Sequence, residues 1–101
     1  MTALLRPEEL RERLADLPGW ELDGKTIRRK LRFADFPAAI AFVNRVAEAA
    51  EAADHHPDML IHYREVTLVL WTHTQGGVTR RDLALASTIG RLADDAGGTN
   101  A

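Results

Sequence analysis

At 101 residues the chain has the length of one domain with a real but small core. It is 46% hydrophobic and 28% charged, a balance that reads as soluble and globular and excludes a disordered chain. A net charge of −2 gives no global drive toward nucleic acid, and the lack of cysteine excludes a disulfide framework and any thiolate metal site. No apolar run approaches the roughly 20 residues that a membrane span needs. The first five residues are too few and too weakly apolar for a signal peptide. A cysteine-free chain fits a reducing compartment, so the expectation is a cytoplasmic protein with no membrane and no direct nucleic-acid partner.

In chain order, Pro7-Glu8-Glu9 has the form of a first helical turn, since proline is tolerated there and acids suit the positive end of the helix dipole. Leu10, Leu14 and Leu17 then make one apolar stripe, which Pro18-Gly19 stops. Trp20 to Leu22 and Ile27 to Phe33 flank Asp23-Gly24, a strong hairpin signal. On the second strand Ile27, Leu31 and Phe33 point one way with Arg29 as the odd member, while Arg28, Lys30 and Arg32 form a solvated face. Asp35 can cap a helix opening at Phe36-Pro37. Its stripe is expected along Ile40, Val43, Ala47 and Ala50, widened by Phe42, Val46 and Ala49, and it should end near His55, because the residue before Pro57 is pushed out of the α region.

Met59 to Tyr63 and Val66 to His73 read as two further strands joined at Arg64-Glu65. Both sides of the second are largely apolar, which predicts cover on both faces, one of them from another subunit. Gly76-Gly77 makes a loop, and Thr79-x-x-Asp82 is a capping box opening a last helix with Leu85, Ile89, Leu92 and Ala96 inward. The order α-β-β-α-β-β-α predicts an α+β domain over residues 1–96, a four-stranded antiparallel sheet with three helices on one face, and a flexible tail over 97–101.

The chemistry-bearing residues are His55, His56, His73 and Asp82, each at the end of an element. Imidazole titrates near neutrality, so clustered histidines are a ready acid/base set. Each residue also has an ordinary reading: His55 stabilised by a helix C-terminus, His56 and His73 merely exposed, Asp82 only the partner of Thr79. A zinc site is disfavoured, because adjacent histidine side chains diverge and no H-x-x-x-H spacing occurs. Ser87, the only serine, lies in a helix interior without a glycine elbow. His62 falls in phase with Leu60 on a strand and lacks a local partner.

Glu51-x3-His55-His56-Pro57-x5-Tyr63-x9-His73-x8-Asp82 resembles the motif of the pterin-4a-carbinolamine dehydratases. Gly19-Trp20, Phe33-x-Asp35-Phe36, Thr72-His73 and Gly77-x-Thr79-x-x-Asp82 extend the resemblance over most of the chain, from about Leu10 to Ala93. Met59 departs from an aromatic common in the family, and Thr74-Gln75 also differs from its best-known animal members. The resemblance implies dehydration of a 4a-hydroxytetrahydropterin to quinonoid dihydropterin and water, in the recycling of tetrahydrobiopterin, with no metal or organic cofactor. It implies His55 and His73 as acid/base groups, His56 as mainly substrate-binding together with Glu51 and Pro57, and Asp82 as the carboxylate that orients His73. Glu51, one turn before His55, is expected to support that histidine, and Trp20 and Tyr63 to be packing residues. It further implies a homodimer or homotetramer and a functional link to an aromatic amino-acid hydroxylase. Since the family includes coactivators and catalytically disarmed assembly factors, a non-enzymatic partner-binding protein on the same fold is the alternative.

Overall fold

The computed structural model describes residues 3–101. Helix α1 (Pro7–Ala15) opens on its proline with Glu8 and Glu9 in the first turn, and Leu10 is its buried residue. Strands β1 (Glu21–Asp23) and β2 (Thr26–Arg32) pair antiparallel, with Asp23 opposite Thr26. The turn therefore centres on Gly24-Lys25, one residue later than expected, with Gly24 at φ 61°.

Helix α2 (Phe36–Ala53) is capped by Asp35, whose Oδ1 accepts the Ala38 N–H at 2.9 Å. Strands β3 (Asp58–His62) and β4 (Glu65–Leu70) form the second hairpin around Tyr63-Arg64. A 3-10 turn at His73–Gln75 leads to helix α3 (Arg80–Asp95) and a final strand β5 (Thr99–Asn100).

The antiparallel sheet runs β1-β2-β4-β3, and β5 joins β2. The expected four strands are thus five, and the segment expected to fray is tied down. The cause lies in β2, whose seven residues outrun the three of β1 and leave half an edge unpaired. Leu31 and Arg32 take Asn100 and Thr99 there, and Ala101 N–H donates to the Lys30 carbonyl at 3.0 Å. A second cause is Arg29. It shares the inner face with Ile27 and Leu31 and is buried, and its Nε donates to Asn100 Oδ1 at 2.9 Å. Burial pulls the Arg29 pKa below its ordinary value, and the Asp94 charge opposes that pull.

Ile27, Leu31, Val66, Leu68 and Leu70 form the inner sheet face and share one core with Phe42 and Val46 of α2 and Leu85 and Ile89 of α3. The buried line of α2 runs along the Phe42 and Val46 side of the expected stripe: Ala39, Phe42, Val46 and Ala50 are buried, whereas Ala47 is exposed. The Phe42 ring packs 4.7 Å from that of Phe33. On the outer face Arg28, Lys30 and Arg32 are exposed, and Thr67 and Val69 are half-buried, so within one chain the second apolar side of β4 stays partly open. Tyr63, expected to pack, is 65% exposed at the β3–β4 turn with φ 55°.

Candidate active site

The C-terminus of α2, the end of β4 and the N-terminus of α3 meet around an open cavity of about 260 Å³. Asp54, His55, His56, Trp71, Thr72, His73, Thr74 and Arg81 line it. The local sequence explains the meeting. Asp54 ends α2 in the left-handed conformation (φ 49°), and the His55 N–H reaches back to the Ala50 carbonyl at 3.1 Å. From there the chain runs extended through His55-His56-Pro57, and adjacent side chains in an extended segment point opposite ways. His55 turns inward and is buried, whereas His56 stays exposed.

Beneath His55 lies the fully buried Asp82. Its Oδ1 sits 2.5 Å from His55 Nε2. Its Oδ2 accepts the Thr79 N–H at 2.8 Å, closing the capping box of α3, and the Thr72 hydroxyl at 2.9 Å. Thr72 Oγ1 also lies 2.7 Å from Thr79 Oγ1. Since Thr72 spends its proton on Asp82, the Thr79 hydroxyl must donate to Thr72, and the chain of donors has one direction. A carboxylate receiving three donors is an acceptor throughout. His55 therefore presents Nε2–H to Asp82, and its lone pair sits on Nδ1, which has no partner among the described residues.

This corrects two expectations. Asp82 orients His55, not His73, because the N3 position of α3 directs the carboxylate under the α2 turn. Glu51 supports His56, not His55: Glu51 Oε1 lies 3.0 Å from His56 Nε2, five residues apart rather than one helical turn, since the helix ends between them. His73 is exposed and stacks on Trp71 with ring centroids 4.2 Å apart. Glu51 and Pro57 lie outside the cavity lining. His62 is exposed on β3, also outside it. Among the described residues, no three His, Asp or Glu side chains converge as metal ligands.

A family model described as pterin 4 alpha carbinolamine dehydratase matches residues 3–92. The chain belongs to this family. A protein of Acidobacterium capsulatum named "Putative pterin-4-alpha-carbinolamine dehydratase" is 52% identical over 89% of this chain and 98% of its own length. A protein of the same name from Nocardia farcinica is 52% identical over 91% of this chain and 97% of its own. Among solved structures, a "transcriptional coactivator/pterin dehydratase" from Brucella melitensis superposes with a TM-score of 0.86 at 37% identity, covering 89% of this chain and 98% of that one. A "pterin dehydratase-like protein", described as a RuBisCO assembly factor, shares the fold with a TM-score of 0.64 at 23% identity, covering 74% of this chain and 89% of that one.

Family membership brings the histidine cavity into focus, and it holds residues that sequence reasoning missed. Arg81 lines the cavity and clamps the α2 terminus, its Nη2 donating to the Asp54 carbonyl at 2.6 Å. Its signal in the sequence was a cation in the first turn of a helix, where the dipole disfavours it. Trp71 had none beyond its place near His73, and Thr72 stood out only within the Thr72-His73 part of the resemblance; its hydroxyl has meaning only once α3 is folded against β4.

Proposed function

We propose that the chain dehydrates 4a-hydroxytetrahydropterins to quinonoid dihydropterins, in the recycling of tetrahydrobiopterin. The observation that carries this is the buried Asp82–His55 pair opening into a cavity that His56 and His73 also line. In the reaction the C4a–O bond breaks, N5–H loses its proton, C4a=N5 forms, and hydroxyl and proton leave as water. His55 suits the base: Nδ1 accepts the N5 proton while Asp82 stabilises the resulting imidazolium, as buried carboxylates do for other catalytic imidazoles. His73, exposed and held by stacking on Trp71, suits the proton donor to the departing hydroxyl, because it can be re-protonated from solvent. His56, steadied by Glu51, binds the pterin at the rim. Pro57 acts through the backbone by keeping the His55-His56 segment extended. None of these steps draws on a metal or organic cofactor.

The product must be reduced again before it can serve a hydroxylase, which links the chain functionally to aromatic amino-acid hydroxylation. A cytoplasmic site of action fits the cysteine-free chain, and no helix among the described residues is long and apolar enough to cross a membrane. We infer a homo-oligomer built on the free edge of β3, where Leu60 is 59% and Ile61 44% exposed.

The test is direct. Purified protein should accelerate loss of 4a-hydroxytetrahydropterin, and His73→Ala should lose at least ~10²-fold in kcat. Undiminished turnover in that variant removes His73 from the mechanism. The coactivator wording attached to the Brucella structure supports a second reading, protein-partner binding. A stable partner captured by a chain that turns over no pterin would favour it.

A further inference from the structure

We propose that the site also accepts pterins that carry an anionic group on the ring substituent, and that Arg6 and Arg80 recognise that group. This rests on the pterin reading above and widens its substrate class. A second cavity, of about 600 Å³, adjoins the histidine cavity, and Arg81 lines both. Arg6, Arg80 and Arg81 face this second cavity with Glu9 as the one acid in its lining. Three guanidiniums against one carboxylate leave an excess of two positive charges. None of the three arginines has a carboxylate within 4.0 Å among the described residues.

Helix electrostatics does not favour this concentration. Arg80 and Arg81 are the first two residues of a sixteen-residue helix, where the dipole opposes cations. Arg6 is brought to them from the start of α1 by the pairing of its neighbours: Leu5 N–H donates to the Val78 carbonyl at 3.1 Å, and Leu4 bridges to Thr79. For Arg81 the bond to the Asp54 carbonyl offsets the opposing dipole, whereas Arg80 has no such bond among the described residues, and a local rule broken without compensation marks a candidate functional position. Arg81 is fixed at the shared boundary by its bond to Asp54. A ring seated among the histidines would send its substituent past Arg81, with the terminal anion between Arg6 and Arg80. Phosphate and carboxylate both suit forked guanidinium donors.

The experiment measures equilibrium binding of three stable ligands, 6-hydroxymethyl-7,8-dihydropterin, its monophosphate and dihydrofolate, to the wild type and to an Arg6→Gln/Arg80→Gln double variant. Turnover of matching 4a-hydroxytetrahydropterins is followed in parallel. The monophosphate or dihydrofolate should bind about 10-fold more tightly than the neutral pterin, the scale of two partly exposed charge pairs. The preference should collapse in the double variant and weaken as salt rises from about 0.05 to 0.5 M, while the neutral pterin is bound and turned over unchanged. Whichever anion shows the larger preference identifies the group. Equal affinity for charged and neutral ligands, or a preference that survives the double variant, overturns the proposal. Charge-dependent binding without turnover of any pterin would sink the dehydratase reading and leave the anion site standing.

Discussion

Asp82 concentrates two functions in one side chain. One oxygen fixes His55 and the other caps α3, so the carboxylate must be an acceptor on both sides. Asparagine cannot satisfy this: either orientation of its amide opposes an N–H to a donor, His55 Nε2–H or Thr79 N–H with the Thr72 hydroxyl. Asp82→Asn should therefore lose ~10²–10⁴-fold in kcat/KM, the range of acid/base catalysis, together with about 1–3 kcal/mol of stability from mispaired buried groups. Kinetics paired with thermal unfolding checks both. Thr72 gives a finer test as a positioning residue. Thr72→Val keeps the shape but removes one donor to Asp82 and the acceptor of the Thr79 hydroxyl. We expect kcat to fall about 10-fold or more with KM nearly unchanged, since a misplaced base costs rate rather than ground-state binding. Thr72→Ser should restore most of it. A loss confined to KM, or absent rescue by serine, would remove Thr72 from the positioning role. Spacing from Thr79 made Asp82 visible in the sequence, while the family resemblance implied His73 as its partner and the structure gives His55. Spacing along a chain reports local helix geometry, whereas the His55 contact spans 27 residues and depends on how α2 and α3 pack.

Elements were legible wherever a local rule governed them. The Asp35 and Thr79 caps, the proline starts of α1 and α2, and the two hairpins all follow from side chains within four residues of one another. Strand β5 was not legible, because Thr99-Asn100 has no strand pattern of its own and forms only where β2 has unpaired edge and Arg29 needs an acceptor. Gly19 reports on that arrangement. It holds φ +87°, and a β-carbon there would lie 2.3 Å from Asn100 Oδ1 and 2.6 Å from Arg29 Nε. Gly19→Ala should cost about 1–3 kcal/mol, seen as a lower Tm, and less in an Asn100→Ala background where one clash is gone. Additive losses would uncouple Gly19 from β5. The outer face of β2 supplies a pH test. Bidentate bonding from Arg32 to Glu65 Oε2, with Lys30 nearby, holds the Glu65 carboxyl below its ordinary pKa. A carboxyl depressed on folding stabilises the fold above the unfolded pKa, and that contribution disappears as pH falls through the folded one. Between neutrality and about pH 3, Glu65→Gln should lose less Tm than the wild type. Parallel curves would mean that the pair contributes nothing.

At the scale of the molecule, one sheet face is covered by helices, and β3, at five residues, is the longer of the two free edges, β1 having three. Among the described residues strand β3 has no partner on its outer side, and Leu60, Ile61 and the Tyr63 turn are exposed along it. A monomer would carry that edge as an aggregation liability; pairing with a second copy removes it, and an isologous twofold contact is the closed solution. The doubly apolar pattern of Val66 to Leu70 points the same way, since Thr67 and Val69 stay half-buried within one chain. The edge also bears on chemistry, because β3 begins one residue after His55-His56-Pro57. Pairing it would limit local opening of the strand that follows the histidine turn. Light scattering should find at least a dimer of the 11.2 kDa chain. A Leu60→Lys/Ile61→Lys variant should run as a monomer with unchanged far-UV circular dichroism, since neither side chain belongs to the buried core. Its kcat should fall several-fold, and wild-type specific activity should decline on dilution through the dissociation range, as mass action requires. A monomeric wild type, or a monomeric variant with full activity, would separate the edge from the site and leave the histidine turn to stand on α2 and α3 alone.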